Sequence, residues 1–206
     1  MTNKMDIHSK IFKAAREEFI RQGFKNASMR MISKRSGVGL SNIYNYYKSK
    51  DEIYRTVLNP ILQAFHTLCK KHNGQEYQTI DVFTMKSYQR MMLDDFMVIV
   101  REHRIELKLL LFHSEGSSLE SFRDDFTRKQ TLEGINYLKG MKEKYPYVNC
   151  DISPFFIHTL TSMWLTVLGE VAIHDHLTSN DIETFMAEFV SYGTGGWKEL
   201  LNAHSS

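Results

Sequence analysis

Apolar side chains recur along this chain at the spacing of a helix rather than that of a strand. Ile7, Ile11, Ala15 and Phe19 stand four residues apart, with Phe12 beside them, and so form one stripe. Asp6 is placed to cap the start of this helix and Gly23 to end it, with Phe24 packing back on the last turn. A second, shorter helix follows: Ser28 caps it, Met29 and Ile32 face inward, and Gly37 stops it. Val38 and Gly39 make a tight turn into a third helix over Ser41–Tyr46. Ser49 and Glu52 have capping-box spacing, which opens a fourth helix at about Lys50 that continues to about His72. Pro60 lies inside it. A proline there lacks an N–H and clashes with the carbonyl four residues back, which predicts a kink over Thr56–Pro60.

After Asn73-Gly74 the pattern is again helical, over Thr84–Glu102 and Arg104–His113. Glu115–Ser118 breaks it, and a long helix follows over Leu119–Lys144, ended by Tyr145-Pro146. Ser153-Pro154, a capping serine with proline at the first helical position, opens a helix to about His174. The last helix starts near Thr178–Asp181 and reaches about Leu201. No strand alternation, internal repeat or low-complexity tract interrupts this order. The expected fold is all-α, divided into residues 1–50 and 51–206 within the fourth helix rather than at a flexible linker.

Charge changes the picture. The 206 residues carry a net charge of +2, but residues 1–58 hold 12 Lys/Arg against 5 Asp/Glu and the remainder 14 against 19. A basic head on an acidic body is the footprint of a head that meets a polyanion. Cys69 and Cys150 are far apart and have no metal-ligand spacing. They suggest a reducing compartment, and plain half-buried thiols are favoured over redox sensors. The first ten residues lack the apolar stretch of a secretory signal. The nearest approach to a membrane span, Leu107–Phe112, is short and interrupted by Lys108. A cytoplasmic protein without a membrane span is expected. Of nine histidines the densest cluster is His174-Asp175-His176. Residues two apart do not share a helix face, and a histidine near a helix end also complements the dipole. With no HExxH, no phosphate-cradling glycine loop and no CxxC, neither catalysis, a metal nor a cofactor is expected.

The informative stretch is Ala27 to Tyr54, ASMRMISKRSGVGLSNIYNYYKSKDEIY. Helix, three-residue turn and helix is the arrangement that lays a second helix in the major groove of DNA. That second helix offers Ser41, Asn42, Tyr44, Asn45 and Tyr46, while Ile43 and Tyr47 are left to pack inward. Asn can pair with adenine through two hydrogen bonds, and Tyr can reach a phosphate or a thymine methyl. The plainer alternative makes Tyr44, Tyr46 and Tyr47 core aromatics of a small bundle. A helix cannot turn three near-consecutive residues to one side, which counts against it.

This segment resembles the TetR family of regulators over roughly Ile7–Leu58. Phe19 and Gly23 fit the end of the family's first helix. Ser28, Arg30, Ile32, Gly37, Val38, Tyr44, Tyr47 and Lys50 fill later positions of its pattern. The resemblance implies that Ser28, Tyr46 and Lys50 meet phosphate and that the exposed residues of the third helix read bases. Arg30 is included among the DNA-binding residues, and Lys4 and Lys10 would add attraction from the amino-terminal arm. The sequence departs from the pattern at Met31, where an acidic residue is common, and at Ser33 and Ser36, where alanine is usual. Gly39 and Leu40 replace a Ser/Thr-Lys pair, which puts a phosphate contact there in doubt and leaves capping to Gly39 or Ser41.

The resemblance also implies a fold of an N-terminal three-helix DNA-binding domain, joined through a long kinked helix to a helical ligand-sensing and dimerisation domain. The body's own residues agree on dimerisation. Phe155, Phe156, Ile157, Leu160, Met163 and Trp164 begin a helix that is apolar on nearly all sides, as a helix covered all round must be. The last helix carries Phe185, Met186, Phe189 and Trp197, with Gly193, Gly195 and Gly196 permitting close approach. Two such helices from each chain would make a four-helix interface; internal core helices of a monomer are the alternative. A dimer expects a palindromic operator in double-stranded DNA. Methionines and aromatics suggest a pocket for a small apolar or amphipathic ligand, with Tyr88, Met92 and Phe96 as candidate lining residues. Phe112, His113, Phe126 and Trp164 complete that set, against the alternative of ordinary core. The expected protein is a repressor released by its ligand. A ligand-responsive activator and a helical interaction protein without operator specificity are the alternatives.

Overall fold

The computed structural model describes residues 4–203, with side chains from residue 6. Among these residues the chain is all-α: nine α-helices, one 3-10 turn and no strand. It divides into two compact units. The first contains α1 (Lys4–Asn26), α2 (Met29–Ser36), α3 (Leu40–Tyr44) and α4 (Lys50–His72) as far as Leu62. It also takes in Ile105–Phe122, the end of α6 (Lys86–Phe112) and the loop after it. The stripe read from the sequence is its core: Ile11, Ala15 and Phe19 are fully buried with Ile32, Ile43 and Ile53.

Gly23 has φ 70°, a backbone that favours glycine, and it lets the Phe24 N–H reach the His113 carbonyl at 2.9 Å. The helical turn resumes beyond it to Asn26 rather than ending there. Glu18, almost wholly buried, accepts from Arg35 of α2 at 3.1 Å and from Arg21 at 3.4 Å, and so ties α1 to α2.

The second unit contains Gln63–Arg104 and the chain from Arg123 onward. Its elements are the rest of α4, the 3-10 turn Gln75–Tyr77, α5 (Asp81–Thr84), α6 up to Arg104, α7 (Phe122–Lys144) from Arg123, α8 (Pro154–Ile173) and α9 (Ser179–Leu200). The Ser153 hydroxyl accepts the Phe156 N–H at 3.2 Å, as the Ser-Pro signal requires. Thr178 and Asp181 form a reciprocal capping box, and the Thr178 hydroxyl bond holds the Asp181 carboxyl below its usual range. The Arg104 guanidinium bonds the carbonyls of Val171, His174 and Leu177 and so closes the end of α8, where a cation also complements the helix dipole.

Two sequence expectations change. The helices expected on either side of residue 103 are one, α6, whose backbone leaves helical angles at His103 (φ −130°, ψ 19°). α4 stays helical throughout, across the Thr56–Pro60 segment where a kink was expected. Pro60 lies on the exposed side, where water can satisfy the Thr56 carbonyl that it leaves without a donor. Lastly, α8 is long and apolar enough by length and composition to cross a membrane, although no such segment was expected. Counting uninterrupted apolar runs missed it because Thr161, Ser162, Thr166 and Glu170 are spread along it. Its buried Leu165, Leu168 and Val171 face the core of the second unit.

Candidate nucleic-acid interface and ligand cavity

The turn between α2 and α3 is held by side chains as well as by glycine. Gly37 ends α2 in the left-handed conformation, φ 67°. The Ser33 hydroxyl donates to the Val38 carbonyl at 2.7 Å, and the Val38 N–H donates to the Ser36 hydroxyl at 3.2 Å. The two serines that depart from the family pattern thus stitch the turn. Gly39 is the N-cap of α3 and supplies only its carbonyl, which accepts from the Asn42 and Ile43 N–H groups. The third helix is shorter than expected, Leu40–Tyr44, but the Tyr46 and Tyr47 N–H groups still bond the Ile43 carbonyl and prolong the turn.

Ile43 and Tyr47 pack inward as expected. The Tyr47 hydroxyl is 2.8 Å from His8 Nε2 and its ring stacks on that histidine, a partner the sequence reading did not find. Burial pushes the Tyr47 phenol pKa up, and the nearby Glu52 charge adds to it. Ser41, Tyr44 and Asn45 are exposed, Tyr44 by 49%, and Asn42 and Tyr46 are half-buried. The Asn45 carboxamide donates to Asn42 Oδ1 at 3.4 Å, which aligns the two amides. Arg30 is exposed, and the half-buried Ser28 caps α2 by accepting the Met31 N–H at 3.2 Å. Lys10 is paired with Asp6, and the side chain of Lys4 lies outside the described residues.

Lys50 is engaged inside the head. Its ammonium donates to the carbonyls of Phe24 at 2.6 Å and Ala27 at 2.9 Å and lies 4.0 Å from the Phe24 ring centroid. Burial lowers its pKa. Two of its three N–H groups therefore hold the end of α1. The capping box at α4 differs in one bond: Ser49 accepts the Glu52 N–H, but the Glu52 carboxylate takes the N–H of Lys48.

The second unit holds a cavity of about 690 Å³, within the range of small-molecule sites. Three of the sequence candidates, Met92, Phe96 and Trp164, line it. The other candidates lie elsewhere. Tyr88 packs edge-on to Tyr77, and Phe126 stacks on Trp164 and meets Phe65. Phe112 and His113 belong to the first unit, where the His113 carbonyl accepts from Phe24 and Tyr54, because α6 leaves the cavity unit after Arg104. Sequence reasoning missed His72, Asn73 and Tyr77, which also line the cavity. Asn73-Gly74 carried a signal only for a helix end.

No Asp, Glu, Lys or Arg is among the lining residues. His72 Nε2 is 2.9 Å from Asp95 Oδ2, and the Lys71 ammonium bonds the same carboxylate. Burial lowers the His72 pKa and outweighs the upward pull of Asp95; the Lys71 charge also lowers it. The unfolded chain takes up this proton first, so His72 contributes stability above pH 6.5 that is lost as pH falls toward its folded value. Urea unfolding from pH 7.5 to 5.0 is expected to show a larger loss of stability in the wild type than in His72→Gln; parallel curves would refute this. Cys69, half-buried between charged neighbours, is pushed up to about 11 by burial, and burial also raises Cys150. Both are thiols rather than thiolates at neutral pH. Among the described residues no cluster of three His, Cys, Asp or Glu could hold a metal.

A short helix with amide and phenol groups at its surface, set on a helix-turn-helix, is the arrangement that lays a helix in a DNA groove. Residues 11–57 match the sequence model of the bacterial regulatory proteins, tetR family. This segment, about a quarter of the chain, is similar to the DNA-binding part of that family. No curated protein sequence matches it. Solved structures similar to it share the fold. A TetR-like transcriptional regulator from Rhodococcus sp. RHA1 matches with TM-score 0.63 at 15% identity, over 95% of this chain and 100% of that one. NalD, the secondary repressor of the MexAB-OprM multidrug efflux pump in Pseudomonas aeruginosa, matches with TM-score 0.63 at 15% identity, over 95% and 97%. FadR from Bacillus subtilis, in complex with stearoyl-CoA, matches with TM-score 0.60 at 12% identity, over 90% and 98%.

Proposed function

We propose that the chain is a cytoplasmic repressor that binds an inverted-repeat operator as a homodimer and is released by a small apolar or amphipathic ligand. Residues 1–50 bind DNA, and residues 51–206 sense the ligand and form the dimer. The observation that carries this reading is the outward set of Ser41, Tyr44 and Asn45 after the Gly37–Gly39 turn, with Asn42 and Tyr46 half-open beside them. Asn42 and Asn45 read base edges, with Ser41 and Tyr44 beside them in the groove. Arg30, Tyr46, the Ser28 hydroxyl proton and the remaining N–H of Lys50 meet phosphate.

Dimerisation is supported by apolar side chains left open on the last two helices. Phe155 is 78% and Tyr192 74% exposed, and Phe156, Met163, Phe185 and Leu200 are also exposed. A Cβ added at Gly193, Gly195 or Gly196 meets nothing within 4 Å, so a partner helix could approach α9 closely there. Two-fold symmetry sets the recognition helices about 34–36 Å apart, or a multiple of that spacing. The similar fold of a named repressor and of a regulator crystallised with an acyl-CoA supports both the regulatory sign and the use of the cavity. Release requires that the ligand bind the DNA-competent and incompetent forms unequally.

The test is fluorescence anisotropy of the full chain with duplexes tiled from its own genomic neighbourhood, in the presence of heparin. A palindromic fragment bound with two chains per duplex and a steep salt dependence is the expected result. Equal binding of every duplex would end the operator reading.

A further inference from the structure

We infer that the cavity takes an uncharged, largely apolar molecule carrying one hydroxyl, and that His72 accepts from that hydroxyl while Tyr77 donates to its oxygen. This rests on the cavity being the ligand site. The case begins with the wall, which carries no formally charged side chain. An ionised ligand would give up its hydration there without a counter-charge on the wall. Asp95 does not supply one, because Lys71 already pairs with it at 2.8 Å.

The polar groups are not spread evenly. The Tyr137 hydroxyl is spent on the Tyr77 carbonyl at 2.7 Å, and the Thr194 hydroxyl on the Val190 carbonyl at 2.8 Å. Ser191, Tyr192 and the two indole N–H groups lie on α8 and α9 and can donate, whereas the side-chain acceptors without a donor of their own lie at the end of α4, on His72 and Asn73. Asp95 can only accept, so His72 Nε2 carries the proton and Nδ1 of the neutral ring presents a lone pair. Among the described hydrogen bonds none goes to that nitrogen. The neighbouring Asn73 gives its amide N–H to Gln130 at 3.1 Å and keeps a carbonyl oxygen.

Tyr77 packs on His72, with ring centroids 4.9 Å apart. It is 1% exposed, and its hydroxyl has no partner. Burial raises its pKa, and Lys71, outside good hydrogen-bonding geometry, lowers it by its charge and by a weak donation. A buried hydroxyl in a folded protein is nearly always paired, so this one marks a place where a further group is wanted. A ligand O–H that donates to His72 Nδ1 and accepts from Tyr77 satisfies both. A carboxylate has no proton to give and would face the side of the ring that accepts.

The probes are decan-1-ol, decyl methyl ether, decanoate and decylammonium, added to the full-length protein. Binding is read by tryptophan fluorescence, since both tryptophans, Trp164 and Trp197, line the cavity, and by calorimetry. The wild type is expected to bind the alcohol at least ~10-fold tighter than the ether, the loss expected for one buried hydrogen bond, and tighter than either ion. His72→Phe is expected to reduce the alcohol-to-ether ratio to within ~3-fold while leaving ether affinity nearly unchanged. Tyr77→Phe, which keeps the ring, is expected to weaken alcohol and ether alike, because both oxygens accept from the Tyr77 hydroxyl, and so to leave the ratio nearly unchanged. Equal binding of alcohol and ether by the wild type overturns the proposal, as does tighter binding of either ion, an unchanged ratio in His72→Phe, or unchanged affinity for both probes in Tyr77→Phe. If no probe binds, the ligand site itself is wrong. A retained operator shift would then show that the DNA-binding reading stands apart from it.

Discussion

Replacing Tyr54 with alanine is expected to unfold the DNA-binding head under conditions where the wild type is folded. Tyr54 is fully buried, with its ring edge-on to Phe19 at 4.9 Å and tilted on Phe24 at 5.0 Å. Its hydroxyl donates toward the carbonyls of Leu109 and His113 and lies 3.0 Å from the Ser114 hydroxyl. Burial pushes its pKa up to about 12. Removing the ring leaves a cavity against Phe19 and Phe24, a change that costs about 3–5 kcal/mol. Domains of this size are stable by only about 5–15 kcal/mol, so this is a large part of the total. Tyr54→Phe separates the ring from the hydroxyl. The His113 carbonyl still receives the Phe24 N–H, and the Leu109 carbonyl still receives the His113 N–H. No acceptor is stranded, so the loss should be near ~1 kcal/mol. Because both tryptophans lie in the other unit, urea unfolding followed by circular dichroism should drop in midpoint for Tyr54→Ala more than unfolding followed by tryptophan fluorescence. Equal costs for the two variants would show that the hydroxyl, not the ring, carries the stability.

The sequence displayed local signals better than long-range ones. Ser153-Pro154, Thr178–Asp181 and Gly37 are written in residues within four positions of one another, and each forms the cap or turn its chemistry requires. The inward Ile43 and Tyr47 were legible for the same reason: helical spacing alone fixes which side chains oppose which. Lys50 is the opposite case. Its partners are carbonyls 23 and 26 positions away, and no spacing rule reports them. The cavity divides along the same line. Met92, Phe96 and Trp164 were found as aromatic or methionine positions on helices. Phe112 has the same composition and spacing but lies beyond Arg104, where α6 enters the other unit. Periodicity states that a side chain is covered, not what covers it. His72 and Tyr77 were missed because polar residues near a helix end ordinarily face water, and only the folded chain shows one on Asp95 and the other without a partner.

In and just after the third helix, Asn42→Ala and Asn45→Ala are expected to lower operator affinity while leaving affinity for unrelated duplex nearly intact. Each base-reading amide contributes about 1–3 kcal/mol of discrimination, and a homodimer carries every substitution twice, so each variant should lose about 2–6 kcal/mol. The two effects should not add. Asn45 donates to Asn42 Oδ1, so removing either amide frees the orientation of the other, and the double variant should lose less than the sum. Arg30→Ala provides the contrast. Arg30 is exposed, and the phosphate contact proposed for it would give affinity without sequence information. Its loss should weaken cognate and unrelated duplexes alike and flatten the dependence of log affinity on log salt by about one ion per subunit. Anisotropy titrations at four salt concentrations, on the operator and on a scrambled duplex, measure both quantities together. If the asparagine variants weaken both duplexes equally, the amides do not read bases, and discrimination must come from Tyr44 and Ser41 or from the shape of the DNA. If Arg30→Ala changes discrimination but not the salt slope, the assignments of Arg30 and the amides are reversed.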